Sequence, residues 1–279
     1  MGGAAIQIDL APGPLDLQPE EVTRWISNAA QAVTTYYGKF PVRRARVLVI
    51  PVAGERGVLQ GTTWGDMGGF PGFSRMRIGE HSTQLELTDD WTMTHELTHM
   101  AFPSLADEHH WLEEGLAVYV EPIARVQAGF LTPEKIWTDM VRDMPKGEPA
   151  PSDQGLDRTH TWGSTYWGGA IFCLVADVTI REQTANKKGL QDALRAIVAA
   201  GGTIDQDWEV TRALQTGDKA TGTTVLMDLY KKMGMSSSQV NLPELWKKLG
   251  VSMDNGRAHL DDTAPESTIR KSITATPGK

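Results

Sequence analysis

Two histidines four residues apart, His95 and His99, lie in the run Thr-His-Glu-Leu-Thr-His, and Glu96 directly follows the first of them. On a helix, residues at that spacing sit one turn apart on one face, with Cβ atoms roughly 5–6 Å apart. Two imidazoles so placed can bind one zinc ion together, and a carboxylate beside them can take a proton from a water polarised by the ion. Four of the seven histidines fall between Thr94 and Glu121. The metal-competent chemistry of the chain is therefore concentrated in one short stretch.

A zinc hydrolase keeps three protein ligands and one open position. The nearest downstream candidates for the third ligand are Asp107, Glu108, His109, His110, Glu113 and Glu114. One subtype places Gly three residues after the second histidine and His three residues after that. Here those positions hold Phe102 and Leu105, so that subtype is excluded. His109 and His110 read as the polar start of a second helix, which leaves a glutamate of that helix.

The run "HELTH" followed by "WLEEGLAVYVE" resembles the gluzincin metallopeptidases, in particular the aminopeptidase N and glycyl aminopeptidase families. Their W-L-x-E-G-x-x-x-Y pattern is matched by Trp111, Leu112, Glu114, Gly115 and Tyr119. The resemblance implies Glu114 as the third ligand beside His95 and His99, Zn2+ as the cofactor, Glu96 as general base and a peptide or protein as substrate. Fourteen residues separate His99 from Glu114, fewer than is usual in those families, so a shorter connection is expected. Gly115 would let the two helices approach closely, because it has no side chain. Glu121 lies seven residues after Glu114 and returns to the same helix face. It reads either as a hydrogen-bond partner of a ligand histidine or as a solvated carboxylate at the helix end.

The resemblance continues through Tyr166, Gly169, Ala170, Asp177, Ile180, Arg181, Thr184, Leu190, Leu194 and Arg195. It implies that Tyr166 donates a hydrogen bond to the oxyanion formed during attack. The alternative is an aromatic core residue beside Trp162 and Trp167. Asp177 and Arg181 fit a helix ion pair, and His160 is a candidate auxiliary donor. In the same families a glutamate in a Gly-x-Met-Glu-Asn loop binds the substrate's free amino group. The nearest text here, Gly65–Phe70, has Gly68 in its place, and Glu80 is the other candidate. The expectation therefore leans toward endopeptidase cleavage.

The elements that must position these residues follow from pattern. Val22, Ile26, Ala29, Ala30 and Val33 repeat at helical spacing before Gly38, and "ARVLVIPV" reads as a strand. Residues 54–80 are dense in glycine, which suggests turns and short irregular strands, and "TQLELT" alternates like a strand. Asp89 or Asp90 can cap a helix that carries His95 and His99, with Pro103 marking its end. The second helix carries "WLEEGLAVYV", and Pro122 should kink or close it. Further helices are expected over roughly 133–143, 162–183, 188–199, 206–215, 222–233 and 242–249.

The expected fold class is α+β, a zincin-like metallopeptidase catalytic domain. A small mixed α/β part over residues 1–100 ends in the two-histidine helix. A helical part covers 101–260, and 261–279 form a polar tail. The net charge is −8, and no basic cluster exceeds "PVRRAR", which argues against nucleic acid as partner. The single cysteine, Cys173, reads as a buried small hydrophobe. The longest apolar run is too short to span a bilayer. No secretory leader is visible; Met-Gly-Gly also fits a scar left by a removed leader, and the expectation leans to a secreted or periplasmic setting. Two other functions stay open: a catalytically silent zincin-fold module that binds a peptide or protein, and a zinc hydrolase of a non-peptide bond. Intact Glu96 argues against the silent module.

Overall fold

A computed structural model describes residues 2–277. Strand β1 (Ala5–Leu10) leads through helix α1 (Pro19–Tyr37) into strand β2 (Arg44–Val52), which pairs parallel to β1. Parallel neighbours need such a crossover. Helix α1 begins where Glu21 reaches back to accept from the Gln18 N–H, with Pro19 in the first turn, and ends at Gly38 with φ of 79°. Its buried stripe includes Val22, Trp25, Ile26, Ala29 and Val33. Strand β2 alternates, burying Ala45, Val47 and Val49.

The glycine-rich segment forms two regular ten-residue strands, β3 (Val58–Met67) and β4 (Phe70–Gly79). This corrects the expectation of turns and short irregular strands. At the tip between them, Gly68 and Gly69 take positive φ in the manner of a tight hairpin. Other glycines of this segment permit close approach. A Cβ on Gly72 would lie 2.6 Å from Met100 Sδ. Strand β4 runs parallel to β2 and antiparallel to β3, giving the order β1-β2-β4-β3 with β3 at the edge.

"TQLELT" is not a strand. It forms helix α2 (Gln84–Asp89), because Thr83 and Glu86 make a reciprocal capping box. Helix α3 (Thr92–His99) follows, its first N–H groups taken by the Asp90 carboxylate at 3.0 Å from both Thr92 N and Met93 N. Helix α4 (His110–Gln127) contains Pro122 and continues past it. Helices α5 (Pro133–Asp143), α6 (Gly169–Gln183), α7 (Leu190–Ala199), α8 (Val210–Thr221), α9 (Val225–Leu229) and α10 (Leu242–Leu249) lie within or near their expected spans. A π-helical turn, Gly163–Gly168, precedes α6.

A small hairpin, β5 (Val251–Asp254) and β6 (Arg257–Leu260), was not anticipated. The segment read as a polar tail contains helix α11 (Ser267–Thr274). It is anchored by buried Arg270, whose Nη1 donates to the carbonyls of Leu249, Gly250 and Asp261. Helix α1 packs against α3 and α4, and α4 packs against α6. Buried Asp177 ties three helices together. It accepts from Tyr119 Oη, from Arg181 Nε at 2.8 Å and from the Leu190 N–H. Cys173 is buried in α6. Among the described residues no helix is long and apolar enough to cross a membrane.

Candidate metal centre

Helix α3 places the rings of His95 and His99 side by side, with centroids 4.8 Å apart and planes at 85°. Helix α4 brings Glu114 up to them. Its Oε2 lies 3.0 Å from His95 Nε2 and 3.6 Å from His99 Nε2. One donor atom from each of the three residues falls within 4.8 Å of the others. Gly115 does not face α3 as expected: a Cβ there would strike the backbone of Gly169, so it is the approach of α4 to α6 that needs the glycine. Burial alone would raise the Glu114 pKa, but the His95 bond and the neighbouring histidines hold it at about 2. Burial, with the charge of His95, lowers His99 to about 4. The cluster is thus two imidazoles facing one carboxylate, a donor set that suits zinc.

The neighbouring glutamate has other work. Glu113 Oε1 accepts from the Leu105 N–H at 3.0 Å, and its Oε2 faces His110 Nδ1 at 3.0 Å. It ties down the connection between α3 and α4. The two histidines expected as a polar helix start are both engaged. His109 is buried against Asp157, at 2.9 Å, and His110 Nε2 lies 3.3 Å from Glu114 Oε1.

Glu96 is buried beside the cluster. Burial raises its pKa; the charge of His95 and a hydrogen bond from Thr63 oppose that shift. Thr63 Oγ1 lies 2.6 Å from Glu96 Oε2. Tyr166 projects from the π-helical turn, a feature frequent at functional sites. Its ring lies 6.4 Å from that of His95 and 5.7 Å from that of Trp162, nearly parallel to both. It lines the cleft rather than the core. Burial, then the carboxylates of Glu114 and Glu96, pushes its phenol up to about 12.

Neither setting expected for Glu121 is found. It is buried, not solvated, and its hydrogen-bond partner is Arg125 Nη1 at 2.9 Å. Burial pushes its carboxyl up to about 7 against the opposing pull of Arg125. His95 Nδ1 is buried and has no hydrogen-bond partner among the described residues. His160 is exposed and does not line the cleft. Gly68 sits at the hairpin tip, outside the cleft lining. Glu80 accepts from the Gly54 N–H and groups with Asp16 and His81, also away from the cleft.

The cleft measures about 680 Å³. Residues Val58–Gly65 of β3 form one wall; Trp91, just before α3, and Thr92, His95, Glu96 and His99 of α3 line it. Phe102, Ser104, His110, Glu113, Glu114, Tyr166 and Ile204 complete it. Several of these escaped sequence reasoning. Trp91, 54% exposed, sets its ring edge-on to His95 at 5.3 Å. Gly65 leaves room for the Ile204 carbonyl, where a Cβ would clash. The available signal was the spacing Gly61-x-x-x-Gly65 inside an otherwise extended run. Glycine in a strand marks close approach of another chain segment.

No family model and no curated protein matches the sequence. Solved structures do match in fold. An aminopeptidase N family protein from Idiomarina loihiensis superposes with a TM-score of 0.63 at 14% identity, covering 89% of this chain and 48% of that one. A two-domain M1 zinc metallopeptidase mutant bound to L-arginine gives 0.53 at 16% identity, covering 84% and 48%. An M1 zinc metallopeptidase mutant from Deinococcus radiodurans, bound to a Tyr-Ser-Ala substrate, gives 0.52 at 17% identity, covering 83% and 48%. The chain spans about half the length of the structures it matches. At these identities the likeness is one of fold.

Proposed function

We propose that this chain is a zinc-dependent peptidase that hydrolyses peptide bonds with an activated water. The observation that carries the reading is the meeting of His95, His99 and Glu114 within 4.8 Å, with Glu96 buried next to them in one cleft. The donor set of two imidazoles and one carboxylate fits Zn2+. The fold neighbours that are zinc metallopeptidases support the same assignment.

His95, His99 and Glu114 would hold the ion. Bound zinc supplies Lewis acidity, which lowers the pKa of a coordinated water to about 7 and polarises a carbonyl. Glu96 takes the proton of the attacking water and returns it to the leaving amine. Its burial suits that exchange, because burial makes the protonated form easier to reach. Tyr166 donates to the oxyanion as it forms. With its phenol pushed up to about 12, it keeps the proton it must donate at neutral pH. Strand β3 is an edge strand that lines the cleft, so an extended peptide can add to it as a further strand.

The test is Glu96→Gln, which keeps the size of the side chain and removes its basicity. The variant is expected to retain zinc and to lose hydrolysis of a mixed library of free and N-acetylated peptides, by about 100-fold or more. A variant that turns over at the wild-type rate would remove Glu96 from the reaction.

A further inference from the structure

Glu96 is not left to find its own orientation. Thr63 Oγ1 lies 2.6 Å from Glu96 Oε2, 3.1 Å from the Glu96 carbonyl and 2.8 Å from Ser74 Oγ. An ionised carboxylate can only accept. Thr63 has one proton for two Glu96 acceptors, and the shorter contact, 2.6 Å against 3.1 Å, gives it to Oε2; Thr63 then accepts from Ser74. Thr63 and Ser74 are direct register partners across the β3–β4 pair, and Ser74 is fully buried. The hydroxyl chain thus runs from the interior of the sheet to the carboxylate. No other hydrogen-bond donor reaches the Glu96 side chain among the described residues. Gly61, two residues earlier on the same strand, supplies the space: a Cβ there would lie 2.5 Å from Glu96 Cγ.

We propose that Thr63, backed by Ser74, is a positioning residue that fixes the Glu96 carboxylate for proton transfer. One oxygen is held by the strand, and the other remains for the water. The element that offers a peptide its open edge also aims the base, so substrate and base share one rigid frame. The proposal rests on the reading of Glu96 as general base.

The experiment compares Thr63→Val, Thr63→Ala and Thr63→Ser for zinc content, kcat and KM on one peptide cleaved by the wild type. Val keeps the β-branched shape and removes the hydroxyl; Ser keeps the hydroxyl. Val and Ala are expected to bind zinc normally and lose about 10-fold to 100-fold in kcat with little change in KM, as misplacement of a reacting group does. Ser is expected to stay near wild type. On a Glu96→Asp background, whose shorter carboxylate no longer meets Thr63, Thr63→Val should add no further loss. Wild-type kcat in the Val and Ala variants overturns the proposal. So does an equal loss on the Glu96→Asp background, which would make Thr63 a substrate contact. Loss of zinc in place of turnover overturns it as well, leaving Thr63 a structural part. A wild-type protein that cleaves no peptide overturns both the proposal and the function it rests on.

Discussion

Glu113 and Glu114 show how far one helical step separates two identical side chains. Successive residues point about 100° apart around an α-helix, so only Glu114 faces His95 and His99 while Glu113 closes the α3–α4 connection. Tyr166 is the residue where packing and chemistry are easiest to separate. It is partly exposed, lines the cleft and feels the charges of Glu114 and Glu96. Tyr166→Phe is expected to keep zinc content and melting temperature and to lower kcat by about 100-fold to 1,000-fold, the usual cost of one oxyanion donor. Steady-state kinetics with the zinc-loaded variant checks this. A near-normal kcat would assign the ring to packing against Trp162 and His95.

Helices α3 and α4 were legible in the sequence because their signals are local: an acidic cap at Asp90, Pro103 after the first helix, and a polar start at His109 and His110 for the second. Strands β3 and β4 were not, because their glycines answer to neighbours distant in sequence. Gly61 makes room for Glu96, Gly65 for the Ile204 carbonyl and Gly72 for Met100. Read alone, such glycines look like turns. The alternation in "TQLELT" misled for the opposite reason: a Thr83–Glu86 capping box outweighs a short period-two pattern. Gly115 obeys the same rule of close approach, but the helix it admits is α6 and not the expected α3. Gly115→Ala puts a methyl group against the Gly169 backbone, so α4 and α6 must part. Such overpacking costs about 1–3 kcal/mol. The variant is expected to melt several degrees lower and to bind zinc more weakly, since Glu114 is adjacent. Calorimetry and a zinc titration check both; an unchanged melt and affinity would mean that the helices can part without strain.

At the scale of the molecule, the site is a meeting of two parts. The helices contribute the three candidate ligands and Glu96, while the sheet contributes the edge strand, Thr63 and the space at Gly61. The chain covers about half the length of its fold neighbours, yet both halves of this cleft lie within it. The identity of the cleft's other lining residues, Trp91 and Ile204 among them, depended on tertiary contacts that no local pattern reports.

In the proposed function, hydrolysis depends on zinc held by His95, His99 and Glu114. The direct measurement follows zinc content by mass spectrometry and the hydrolysis of internally quenched peptides in the same samples. Those samples are the protein stripped of metal, the protein restored with zinc, and the Glu114→Ala variant. No turnover is expected without metal, with recovery at about one zinc per chain, and neither tight zinc nor turnover in the Glu114→Ala variant. Equal hydrolysis with and without zinc, or a Glu114→Ala variant that holds zinc and cleaves as the wild type does, would contradict it.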